Sequence, residues 1–285
     1  MAQNPLAVRL LDLYPLEQLR QYFDLPTGTK AQVIEAILGS RDGGEVDAFI
    51  ITHHLTTKHH VHLHRCSDVT VRDLPEGLLD DGRLLASDPA RTSRSWFYLL
   101  DLPYVVYLAD PLEKKAVDYL WPVHVTCGRN SLELRFTIME KNLAAQYEPG
   151  RVIRSIKDLD EAMVEILVFD SLGLSDVHPE DLNEGVKALW DEGLIDAPAV
   201  QFKKARATTR QVMDGNYLVK RDDPSLYDDL RDKPLLATTF KWMGDSIGLD
   251  HFTVDPTKGI VSFRTFSHLD QGAAYVVREI RRRNG

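Results

Sequence analysis

Three histidines separated by single residues, His60, His62 and His64, stand in the stretch HHVHLHR. Alternate residues of an extended strand share a face, so this spacing presents three imidazoles on one side and His59, Val61 and Leu63 on the other. Imidazole is a common ligand of zinc and other divalent transition metals, which need three or four converging donors. His124 and Cys127, in HVTC, add two donors at a spacing a metal could use. No H-E-x-x-H, no paired C-x-x-C and no obvious carboxylate partner completes a set. The sequence therefore assigns no metal and no cofactor, keeps His60, His62 and His64 as the candidates should one bind, and predicts a strand that is solvated or faces a partner.

A second chemistry-bearing stretch is basic. Residues 201–221 carry six bases against one acid, Asp214, and follow a segment, 158–196, with twelve acids against one base, Lys187. QFKKARATTRQVM and NYLVKR, joined by Asp214 and Gly215, predict a hairpin with a type I′ turn. Alternation then places Lys204, Arg206, Thr208 and Arg210 on one face, about 6.6 Å apart. The two-residue turn sets Val212 opposite Tyr217, Arg210 opposite Val219 and Thr208 opposite Arg221. A face of four cations, two hydroxyls and a tyrosine ring suits a sugar-phosphate backbone, and pairing with the acidic helix before it is the alternative.

Other catalytic arrangements are poorly represented. Asp101, Asp110, Glu113 and Lys115 supply the letters of a D…[D/E]-x-K nuclease, but Glu113 reads as first-turn acid of a helix that opens at Asp110 and Pro111. There is no P-loop, no dinucleotide fingerprint and no G-x-S-x-G elbow. Cys66 and Cys127 each have a histidine near in sequence, which says little about a Cys–His pair in space.

The elements that would position these residues begin with LEQLRQYFDLPTGTKAQVIEAIL, residues 16–38. Leu16, Leu19 and Phe23 line one short helix, and Val33, Ile34, Ile37 and Leu38 line a second. Between them Pro26 favours extended backbone at Leu25, Gly28 permits positive φ, and Thr29 with Gln32 forms a capping box. A helix start with unpaired N–H groups and Lys30 beside it suits a phosphate. The pattern Leu19, Tyr22, Leu25, Pro26, Gly28, Lys30 resembles the SAP motif and its helix-extension-helix relatives, over about thirty residues. That resemblance implies a small DNA-binding module, with Arg20, Thr27, Gly28, Thr29 and Lys30 at the contact.

Beyond it, GSRDGGEV (39–46) reads as a linker, and 47–285 as a body of two subdomains, about 47–157 and 158–285. Residues 48–52, 59–65 and 95–109 read as strands, the last broken at Pro103. VHVTC and SLELRFTIM read as a hairpin about GRN, and 158–172 as a helix or a helix running into a strand. Residues 178–196 read as a helix ending at Gly193, and HFTV and IVSFRTF as a hairpin about DPTKG. Ser267, with Asp270 three residues on, caps a last helix whose inner stripe is Leu269, Ala273, Val276, Val277 and Ile280 and whose tip is Arg281, Arg282 and Arg283. Mixed elements without regular β-α alternation predict an α+β fold, with a mainly antiparallel sheet.

With 285 residues, 44% hydrophobic and 27% charged, the chain has the composition of a globular protein. Its net charge of −9 argues against a surface coated in phosphate-binding groups, so segregation of charge matters more than the sum. Two cysteines, no signal-like start and no apolar run of about 18 residues predict a cytoplasmic protein without membrane contact. The expectation is a non-enzymatic DNA-binding protein, contacting duplex backbone through the SAP-like module, the basic hairpin (Lys204, Arg206, Arg210, Tyr217, Arg221) and Arg281 and Arg282. The alternatives are an adaptor that binds a protein partner or a second copy, and a metal-dependent nuclease.

Overall fold

A computed structural model describes residues 10–67, 69–80, 82–138, 152–157, 159–204, 207–212, 217–245, 247–266 and 271–285, with the backbone alone at 201–204, 207–212 and a few isolated positions. The class is α+β, built on a twelve-stranded sheet. Three helices lead in: α1 (Leu16–Phe23), α2 (Lys30–Ser40) and α3 (Gly43–His53). The Thr29–Gln32 capping box forms at the start of α2. α3 replaces the expected linker at 43–46 and the expected strand at 48–52. Asp42 caps it by accepting from Glu45 N at 2.8 Å, and Val46, Phe49 and Ile50 at helical spacing are buried, which outweighs the two glycines at its start.

The first strand, β1 (His59–Cys66), takes the middle of the sheet. On one side, order β5-β4-β3-β2, lie β5 (Ser131–Thr137), β4 (Glu113–Gly128), β3 (Ser93–Leu108) and β2 (Arg83–Pro89); β6 (Val152–Lys157) pairs with β3. On the other side, order β12-β11-β10-β8-β9, lie β12 (Ile260–Phe263), β11 (His251–Asp255), β10 (Thr238–Trp242), β8 (Ile195–Lys204) and β9 (Ala207–Val212). A short β7 (Val177–Pro179) adds to β1, and every pairing among the described residues is antiparallel. The remaining helices are α4 (Glu161–Ser171), α5 (Asn183–Asp191), α6 (Val219–Asp222), α7 (Pro224–Arg231) and α8 (Gly272–Arg283). No described helix is long and apolar enough to cross a membrane.

Several expectations need correction. Residues 113–120 are strand, not helix: Leu108 pairs with Glu113 and the ladder continues to Ser93 and Gly128, with Val117, Tyr119 and Trp121 buried at period two. Pro103 does not break β3. It stands opposite Asp118, in the interval between β2, which ends its pairing at Leu99, and β6, which begins at Tyr104. A missing N–H on that edge interrupts no ladder. Residues 161–171 form one helix. The hairpins at 123–136 and 251–263 are present, the second with Gly259 at φ 66.

The basic hairpin differs most. β8 pairs with β9, with Lys204 opposite Ala207, Lys203 opposite Thr208 and Gln201 opposite Arg210. β9 therefore pairs with β8 rather than with 216–221, and 219–222 is helical. Arg206, Asp214, Gly215, Ser267, Leu269 and Asp270 lie outside the described residues. α8 buries Ala273, Val276, Val277 and Ile280 as the sequence indicates.

The core falls in two clusters. One joins α1–α3 to the β2–β5 side and to Val164 and Val168 of α4. The other joins α5, α8, β8 and β10–β12, and reaches β1 at Val61 and Leu63. β1 is the seam between them.

Candidate metal centre

The histidine strand and α4 meet face to face. His60, His62 and His64 stand in register with Phe136, Leu134 and Leu132 of β5, on the side that α4 covers. α4 starts where Asp160 accepts from Met163 N at 2.9 Å, and Val164 and Val168 anchor it in the core. Glu161 and Glu165, one turn apart, then fall on one flank and point at the histidines. His60 Nδ1 lies 3.0 Å from Glu161 Oε1, and His62 Nδ1 and His64 Nε2 lie 2.6 and 2.9 Å from Glu165 Oε1. His62 Nε2 is 3.2 Å from Glu161 Oε2, without hydrogen-bond geometry. His62 packs edge-on to Phe136, and His64 to Phe169 of α4.

These five side chains form two donor groups, each compact enough for one ion: His60, His62 and Glu161, and His62, His64 and Glu165. His62, His64, Glu161 and Glu165 line a cavity of about 510 Å³, together with Asp160, Pro179, Lys258 and Ile260. Lys258 is largely exposed and lies 3.3 Å from Asp255. The backbone holds this corner closely. Leu63 N donates to Gly259 O at 2.8 Å and Glu180 N to Leu63 O at 2.9 Å, and a side chain at Gly259 would collide with both strands.

Charge is concentrated here. Burial opposes the imidazolium of His62, yet Glu161 and Glu165 outweigh it and push its pKa up to about 9. Burial likewise opposes both carboxylates, and the facing histidines hold Glu161 and Glu165 down to about 2. Three imidazoles and two ionised carboxylates are a donor set for a divalent transition metal, with nitrogen and oxygen ligands suited to zinc, iron, manganese or cobalt.

The opposite side of β1 holds histidines in another condition. His59 Nδ1 donates to Thr57 O and His54 Nδ1 to Ile51 O, both at 2.7 Å. The His54 ring lies 4.9 Å from that of His124 and 4.8 Å from Phe97. Burial lowers His54 to about 4, His59 to about 3 and His124 well below its usual value, and Arg135 lowers all three further. His124 and Cys127 do not act together: a spacing of three in a strand puts them on opposite faces, and Cys127 is in the core.

The lysines and arginines expected to bind nucleic acid are paired with acids wherever their side chains are described. Lys30 Nζ lies 3.0 Å from Asp12 Oδ1 and donates to Asp12 O. Arg20 pairs with Glu17 at 2.9 Å and Arg221 with Asp222 at 2.8 Å. Arg281 pairs with Glu180 at 3.0 Å, and Arg282 with Glu279 at 3.1 Å. Thr29 is engaged in its capping box, Thr27 and Gly28 are exposed in the α1–α2 link, and Tyr217 is half-buried outside any strand. Lys204 and Arg210 have backbone positions on separate strands and are not opposite one another. Glu113 and Lys115 lie 3.7 Å apart at the start of β4 rather than in a helix.

Sequence reasoning missed Glu161 and Glu165. Their signal was E-x-x-x-E beside an Asp cap, usable only once 158–172 is taken as helix throughout. The chain matches no known protein-family profile and no curated protein sequence.

Proposed function

We propose that this protein is a metal-dependent hydrolase whose centre is formed by His62, His64 and Glu165 at the wall of the 510 Å³ cavity. The observation that carries the reading is the convergence of three alternate histidines and two carboxylates one helical turn apart, about a hundred residues away in the chain. Two imidazoles and a carboxylate that leave a side open to a cavity are the ligand type of water-activating metal sites. A bound divalent ion lowers the pKa of its water and supplies a nucleophile at neutral pH.

The reading departs from the expectation of a non-enzymatic DNA-binding protein. Phosphate affinity needs free cations, and Lys30, Arg20, Arg221, Arg281 and Arg282 are all paired within the chain. The test is elemental analysis of the purified full-length chain after loading with zinc, manganese, cobalt or iron(II), followed by turnover of phosphate and carboxylate esters. Retained metal, with turnover that disappears in Glu165→Gln, is expected. A chain that retains no metal above trace after dialysis would sink the proposal.

A further inference from the structure

The two donor groups share one residue, His62, and they use different atoms of it. Nδ1 faces Glu165, which also faces His64, and Nε2 faces Glu161, which also faces His60. The lone pairs of the two ring nitrogens diverge in the ring plane, so one ion cannot take both. The His62 side chain is only 9% exposed, and its Nε2 has no hydrogen-bond partner although a carboxylate stands 3.2 Å away. A buried ring nitrogen with an ionised carboxylate beside it, and a second imidazole across that carboxylate, is the arrangement of a ligand shell rather than of a hydrogen-bond pair.

We infer that the site takes two divalent transition-metal ions bridged by the His62 ring, one held by His60, His62 Nε2 and Glu161, the other by His62 Nδ1, His64 and Glu165. The inference deepens the metal reading above and rests on it. Each ion takes one ring lone pair, so His62 binds as imidazolate and its ring protons pass to solvent. The geometry requires no movement of the strand, since all donors of each group already lie within 4.8 Å of one another. It also gives His60 and Glu161 a role that a single ion at Glu165 leaves unused.

The test loads the full-length chain with copper(II) and reads both stoichiometry and electron paramagnetic resonance. Two ions per chain are expected, with a resonance well below that of the total copper because the bridged ions couple. His60→Ala and, independently, Glu161→Gln are expected to bring the stoichiometry to one and restore the full signal of an isolated ion, with unchanged far-ultraviolet circular dichroism. One ion per chain, unaffected by either variant, overturns the bridge and leaves the single-metal reading intact. Two ions with full uncoupled signal also overturn it. No bound ion overturns both.

Discussion

Consecutive residues of one strand, His59 and His60, look into two different electrostatic worlds. On the His60 side the histidines meet carboxylates, and His62 is held charged by Glu161 and Glu165. On the His59 side His54, His59 and His124 pack against aromatic rings near Arg135, no acid is among the causes that shift them, and they are held neutral. On both sides burial opposes the charged imidazole. The partner distinguishes them: desolvation pushes every buried imidazole toward neutrality, and only an ionised carboxylate within hydrogen-bond distance reverses that. The same residue type thus provides a ligand set on one face and packing on the other.

The sharpest way to break this contrast is to remove a carboxylate. Glu165→Gln should weaken metal binding by about 100-fold or more in a chelator-competition titration, while His54→Asn, on the other side, should leave affinity within about twofold. Equal losses in the two variants would dissolve the distinction. In the metal-free protein, His62→Leu removes the partner that Glu161 and Glu165 share, leaving each with one histidine, and should cost about 2 kcal/mol in urea unfolding at neutral pH. His124→Leu removes a buried ring nitrogen that has no hydrogen bond, and should cost less than about 1 kcal/mol.

A smaller effect concerns acid. The unfolded chain takes up a proton on His54 below about pH 6.5, whereas the folded chain refuses it until about pH 4. Stability therefore falls as pH drops through that window, by about 1 kcal/mol at pH 5.5 from this residue alone. His54→Asn, which keeps a donor to Ile51 O, should flatten that part of the slope. A slope unchanged in the variant would place the uptake elsewhere.

The histidine face itself was legible in the sequence, because period two in a strand leaves no freedom in which side chains share a side. Its meaning was not. The carboxylates that give it chemistry lie about a hundred residues later, in a segment whose apolar run EILVF fits helix and strand alike. AFIIT at 48–52 misled in the converse sense, since β-branched residues after two glycines read as strand until the Asp42 cap and the Val46, Phe49, Ile50 stripe are weighed together. The expected partner of 201–213 was 216–221, but 219–222 is helix and β8 pairs with β9, a choice of long-range pairing that a dipeptide signal does not carry.

The place of β1 in the sheet has a consequence for how the protein comes into being. This strand is synthesised before all its ladder neighbours, which end at residues 137 (β5), 179 (β7) and 263 (β12). On its second edge β7 covers only His64–Cys66, so His59–His62 stay unpaired until β12 is made, and contacts so far apart in sequence make for slow closure. During that interval a strand with an unsatisfied edge is open to unwanted association, which makes the wait for β12 the stage at which this protein most depends on protection from its neighbours.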